Sequence, residues 1–301
     1  MQAIRPYTIN DINLLSTNVV EDDYPIYSSL TTYAVNETLI YIDTNKHWVI
    51  RSLVAGNVGN LPTGLNTDTN WVKVSETNRW KMFDLKTTSQ TINAGSIDVT
   101  IGLTSITNAL YVGNVQGAML TVIGKDQFDV EIYNNEVNLV STDGIYDPWT
   151  YFFNPIEFIE EVVLDDLPPY ALSEYQITIS SPSGNVAVGT LVLGYIQELA
   201  LTRYGMTMSS IDYSIKQANG FGDFVITERG YSRTVDLNAY VPTANKNSII
   251  TFMNRYRATP IVWIGSGQYL GSISYGFVKT YEVTAAGPEE TRLQIKIEGL
   301  S

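Results

Sequence analysis

The chain has 301 residues, 44% of them apolar, with a formal charge of −13, one histidine and no cysteine. Without cysteine there is no disulfide framework and no thiolate metal site, and with His47 alone there is no Cys₂His₂ zinc site and a Ser-His-Asp triad would have to use that residue. Eighteen Lys and Arg against 31 Asp and Glu, with no basic run, exclude a nucleic-acid backbone and disfavour an anionic membrane surface; no run of about 18 apolar residues predicts a membrane-inserted helix.

Residues 1–28 (MQAIRPYTINDINLLSTNVVEDDYPIYS) hold no sustained period. Ile4, Ile12, Leu14, Leu15, Val19 and Val20 are too apolar for a free tail, which predicts an arm lying along another domain or subunit. The opening MQAIRPYTIND lacks the apolar core of a secretory leader, so the expectation is synthesis in a cytoplasm, where the protein either stays or from which it leaves by lysis or within a larger particle. Residues 29–80 read as a small β domain. YAVNETLIYIDTNKHWVIRSLV gives two short strands with Leu39, Tyr41, Trp48, Ile50 and Leu53 as apolar positions. A loop rich in Gly and Asn follows, and WVKV closes the block. A unit this small without disulfides is expected to lean on a neighbour.

Residues 81–198 read as a β-sandwich of the jelly-roll kind. SIDVTIGL places Ile97, Val99, Ile101 and Leu103 on one face, and YQITISS does the same with Tyr175, Ile177 and Ile179. VAVGTLVLGYI is apolar on both parities, which predicts a strand covered on both faces. Residues 199–301 read as a C-terminal β domain with one helix, about 246–257, where Ile249, Phe252, Met253 and Tyr256 recur at helical spacing. Asn245 or Asn247 can cap its start, and Pro260 follows its end. PIVWIG is then a buried strand, and RLQIKIEGL alternates Leu293, Ile295 and Ile297 inward. The fold class expected is mostly β. A low charged fraction of 16% and 20 tyrosines suit sheets and interfaces better than long solvated helices.

The segments YAVNETLIY, HWVIRSLVAGNVGNLP and NWVKV together resemble the small carbohydrate-binding modules of the chitin-binding type, although the Gly-acid pair usual after the first aromatic is Asn36-Glu37 here. Over nearly the whole chain, the order of segments is similar to virion proteins from the tail tip or baseplate region of tailed bacteriophages. IRPYTI, the aromatic module and TNRWKMFD are followed by a β-sandwich. IDYSIKQANGFGDFVITERGYSRTVDL, a helix, PIVWIG, YGFVKTYEV and RLQIKIEGL complete the series. The resemblance implies a structural, non-enzymatic virion protein, made in the host cytoplasm. Its expected partners are other tail and baseplate proteins, copies of itself and, in some members, a host-surface glycan. It implies no cofactor, and the family has no common catalytic residues to carry over.

The candidate residues follow from this. Tyr33, Tyr41, Trp48 and Trp71 could stack on a pyranose ring; the alternative is that they fill the core of a tiny domain. Trp80 and Phe83 lie where the small block meets the sandwich and are expected to lock the two together. Arg229, Arg233, Arg255 and Arg257, with Arg203, form a basic set in the C-terminal domain suited to an assembly interface. His47 is expected to be an exposed residue of no special role. Glu160-Glu161 and Asp165-Asp166 raise a glycosidase idea, but neighbours on a strand point to opposite faces, so a solvated edge is expected. Asp22-Asp23 and Asp143 with Asp147 lack the spacing of a calcium loop. GFGDF (220–224) is expected to be a turn rather than a phosphate loop. Three roles remain: structural tail component, glycan-binding adhesin and, least favoured, polysaccharide depolymerase.

Overall fold

Alternating apolar residues become strands almost wherever they occur. The computed structural model describes residues 1–300 apart from 65, 66, 143, 156, 219–221, 268, 269, 286, 288 and 289. In the N-terminal part its elements are β1 (Gln2–Pro6), β2 (Leu14–Thr17), β3 (Thr38–Ile42), β4 (His47–Ser52) and β5 (Trp71–Glu76). The middle holds β6 (Thr91–Leu103), β7 (Ala109–Gln116), β8 (Met119–Asp126), β9 (Glu131–Asn138), the short helix α1 (Pro148–Phe153), β10 (Glu161–Leu164) and β11 (Ser173–Glu198). The remainder comprises β12 (Leu201–Thr202), β13 (Thr207–Asp212), β14 (Ile215–Ala218), β15 (Phe224–Thr227), β16 (Tyr231–Pro242), α2 (Lys246–Arg255), β17 (Ile261–Ile264), β18 (Ile273–Ala285) and β19 (Glu290–Gly299). The fold is mostly β and antiparallel throughout its named strand pairs. No helix among the described residues is long and apolar enough to cross a membrane.

Among the described residues three sheets result. β3, β4 and β5 form a small sheet of their own, β14 and β15 a two-stranded ribbon, and fourteen strands join in one large sheet whose main path is β10-β7-β11-β1-β17-β18-β19-β16-β12. The sandwich-like part is built by two long strands that bend together. β6 and β11 pair along most of their length, with a register shift between Ser180 and Asn185 where Gly184 takes φ +84°. Before the bend β11 lies between β6 and β8; after it, beside β7 and β1. Both arms feed one core, with Ile97, Val99 and Ile101 from β6, Val122 from β8, Val112 from β7, and Ile177 and Leu193 from β11. VAVGTLVLGYI is buried from Val186 to Leu193, as its two-sided apolar pattern predicts.

The expected N-terminal arm supplies two strands, β1 and β2. β1 lies between the middle of the chain and its end: Ile4 is paired with Ile196 of β11 on one side and Val262 of β17 on the other. The large sheet therefore runs continuously past residue 198. Alternation divides its faces. Ala3 and Trp263 pack with Ile249, Phe252 and Met253 of α2, while Ile4, Val262 and Ile264 pack with Tyr111, Val192 and Tyr275 on the opposite side. Gly194 marks the crossing, because a Cβ there would stand 2.2 Å from the carbonyl oxygen of Arg5. α2 covers most of the expected range. Asn245 occupies its N-cap position but makes no side-chain cap bond.

Candidate functional site

The small module spends its aromatics on its own interior. Trp71, at 1% exposure, is ringed by Tyr27 and Tyr33, with ring centroids 5.5 and 5.6 Å away, and its Nε1 donates to the carbonyl of Asn60 at 2.8 Å. Tyr33, at 3% exposure, exchanges hydrogen bonds with the backbone of Ser28. Of the two readings the sequence leaves open, the burial of Tyr33 and Trp71 fits core filling rather than stacking on a sugar, as suits a domain with few apolar residues. Tyr41 and Trp48 are cross-strand partners and half-buried. Lys73 Nζ stands 3.0 Å from the centroid of the Trp48 ring and occupies one face of it. The structure thus leaves two of the four rings partly accessible. Asn36, in place of the usual Gly, takes φ +68°, a left-handed conformation that Asn tolerates better than most residues.

Trp80 and Phe83 lie at the junction. Both belong to the sandwich core, and the Trp80 ring is 5.5 Å from the ring of His47 on β4, so the indole touches both units. His47 is buried, contrary to the exposed position expected for it. The carboxylate of Glu21 accepts from His47 Nδ1 at 2.7 Å, and Nε2 lies 3.4 Å from Asp11 Oδ1. Thr77 donates to Glu21 as well, and Arg79 Nη1 stands 3.2 Å from it. Burial opposes ionisation of Glu21, but the bonds from His47 and Thr77 and the nearby positive charges outweigh it and hold this carboxyl below its ordinary value. The reason is nonlocal: the polar partners that allow a histidine inside come from the first 21 residues. Nearby, burial pushes Asp84 up to about 6 despite hydrogen bonds from Ser89 and the Lys86 amide.

The basic set is divided. Arg229, Arg255 and Arg257 are exposed. Arg233 is half-buried and forms an internal tie: its Nη1 is 2.6 Å from Glu161 Oε1, joining β16 to β10 across a cleft of about 240 Å³ also lined by Tyr111, Tyr231, Ser274 and Tyr275. Glu161 therefore departs from the solvated edge expected for it, and burial raises its carboxyl despite Arg233. Glu160, Asp165 and Asp166 are exposed, and Tyr133 donates to Asp166 at 2.7 Å. Asp143, and Gly220 and Phe221 of GFGDF, lie outside the described residues. Among the described residues no group of three or more His, Cys, Asp or Glu side chains is placed to hold a metal.

A run of exposed aromatic side chains lies at α1, where the sequence pointed only to Asp143 and Asp147. Tyr146, Trp149, Tyr151, Phe152 and Phe153, on and before α1, are 65–89% exposed, and α1 buries none of its residues. The helix exists because of its cap: Asp147 accepts from the Thr150 amide at 2.7 Å, the Thr150 hydroxyl returns to the Asp147 backbone, and Pro148 sits in the first turn. Trp149 and Phe153, one turn apart, stack at 4.2 Å. Five aromatics within eight residues was the available signal. A second apolar projection is the β14–β15 ribbon, where Phe224, Val225 and Ile226 are 72, 58 and 65% exposed. No family model matches the chain, and no curated protein matches it.

Proposed function

We propose that the protein is a structural component of a bacteriophage tail, in the tip or baseplate region, assembling with copies of itself and with other tail proteins. The observation that carries this reading is two runs of neighbouring exposed apolar side chains, on the α1 segment and the β14–β15 ribbon, beside a continuous fourteen-strand sheet. Soluble monomers rarely leave contiguous apolar patches of more than a few hundred Å² in water, and larger ones mark interaction sites. The segment order described above supplies the tail assignment, and no catalytic step or cofactor is part of it. Mass spectrometry of purified particles, with imaging of the assembled tail, tests the proposal. The protein should be found at a fixed stoichiometry in the tail; a stable monomer missing from particles would refute it.

A glycan contact can coexist with this role, and it rests on Tyr41 and Trp48, the two adjacent rings of the small module that keep accessible surface. Glycan-array binding should then weaken in Trp48→Ala with folding intact. Unchanged binding removes the module from receptor contact.

A further inference from the structure

The charge of this chain is segregated. Residues 126–202 contain thirteen Asp and Glu and no Lys or Arg, so this stretch carries the entire −13, while elsewhere eighteen acids balance eighteen bases. The exposed aromatic segment lies inside that acidic stretch, with Asp147 and Glu157 exposed beside it. A large aromatic side chain offers about 150–250 Å². Five rings at the exposures given present roughly 700 Å², close to the ~800 Å² that each partner contributes to a standard protein interface.

The complementary surface is on α2. Residues 237–281 contain no Asp or Glu, and Lys246, Arg255 and Arg257 are exposed on the helix and just after it. Hydroxyl and amide side chains, Ser248, Thr251 and Asn254, share the exposed side. α2 packs over the part of the sheet containing β17, four strands from β10, or roughly 19 Å at the usual strand spacing. One chain therefore carries both halves of a contact at separate places.

Resting on the assembly reading above, we infer that the aromatic segment around α1 in one copy docks on the α2 face of the next. The guanidinium groups of Arg255 and Arg257 lie over the rings and against Asp147 and Glu157. Arginine is suited to both tasks, since its planar cation stacks on aromatic faces and pairs with carboxylates. Two acidic segments meeting each other would place like charges together, so the contact is head-to-tail, of the kind that closes into rings or extends into filaments.

The test uses the full chain and its self-association, measured by analytical ultracentrifugation at low and high ionic strength. Wild type should associate, more weakly at high salt. Trp149→Ala with Phe152→Ala, and separately Arg255→Glu with Arg257→Glu, should each weaken association at least about tenfold, the range of interface hot spots. Mixing the two variants should restore a species of two copies and no more, because each retains the half the other lost. Tyr146→Ala, outside the helix, serves if the first variant melts α1. A wild type that is monomeric at all concentrations, loss in only one variant, or no rescue on mixing overturns the contact. Self-association that survives both variants does so too, while leaving the tail role standing; absence of the protein from particles would remove that role whatever the mixing shows.

Discussion

Two aromatic clusters in this chain meet opposite fates. Around Trp71 the rings of Tyr27, Tyr33 and Trp71 turn inward against a three-stranded sheet; around α1, a helix of under two turns, five rings on and just before it are exposed. Aromatic density alone does not separate the cases. What separates them is support: β3, β4 and β5 give the first cluster a sheet face to cover, with Tyr33 and Trp71 finding backbone partners for their polar ends, whereas α1 is too short to bury a face of its own. The first cluster holds a domain together, and the second remains available to a neighbour.

The comparison can be broken most directly at Trp71. Trp71→Ala should cost about 3–5 kcal/mol and unfold the small module, as large-to-small core substitutions do; urea denaturation with limited proteolysis of residues 29–80 reads this out. A module that stays folded would mean that the ring is not its core. Next, the junction behind Trp80 should answer to pH. Asp84, raised from 3.8 to about 6, favours its protonated form when folded, so its contribution is fully present below about pH 4 and is lost as pH rises through 6. The loss is up to about 3 kcal/mol, and Asp84→Asn should flatten the stability profile over that range. Glu21 runs the other way: its lowered value gives stability present above the ordinary carboxylate range and lost on acidification. His47→Ala, which leaves that partly buried carboxylate short of a donor, should cost about 1–3 kcal/mol at neutral pH in the same denaturation assay. The smallest effect belongs to the outward cluster. Trp149→Ala with Phe152→Ala should change monomer stability by less than about 0.5 kcal/mol, measured by thermal unfolding of dilute protein. A larger loss would show those rings already packed within the chain.

Strands with one wet face were legible in the sequence, because burial on a single side writes a period of two. RLQIKIEGL and SIDVTIGL are of this kind, and α2 wrote its helical period for the same reason. β1 was not legible as a strand: its five residues pair with partners about 190 and 260 positions away, and nothing local announces them. Nor did the sequence reveal that β6 and β11 are continuous through a bend, since the bulge interrupts the alternation that would have joined them. At the candidate sites, residue type predicted chemistry but not exposure. Trp71 and Trp48 sit in equivalent-looking strands, yet one is sealed and the other half open. Arg233 and Arg255 look alike in sequence, and only pairing across the cleft separates the internal tie from the free surface.

The placement of β1 has a kinetic consequence. It is synthesised before both strands that flank it, and one of them, β17, follows some 250 residues later. Until then the edge of β1 that β17 covers stays open on one side of the growing sheet. Closure of long-range pairings is intrinsically slow and exposes aggregation-prone edges meanwhile. Productive maturation of this polypeptide should therefore depend on a late zippering event at Gln2–Pro6, and crowded synthesis should punish any delay in it.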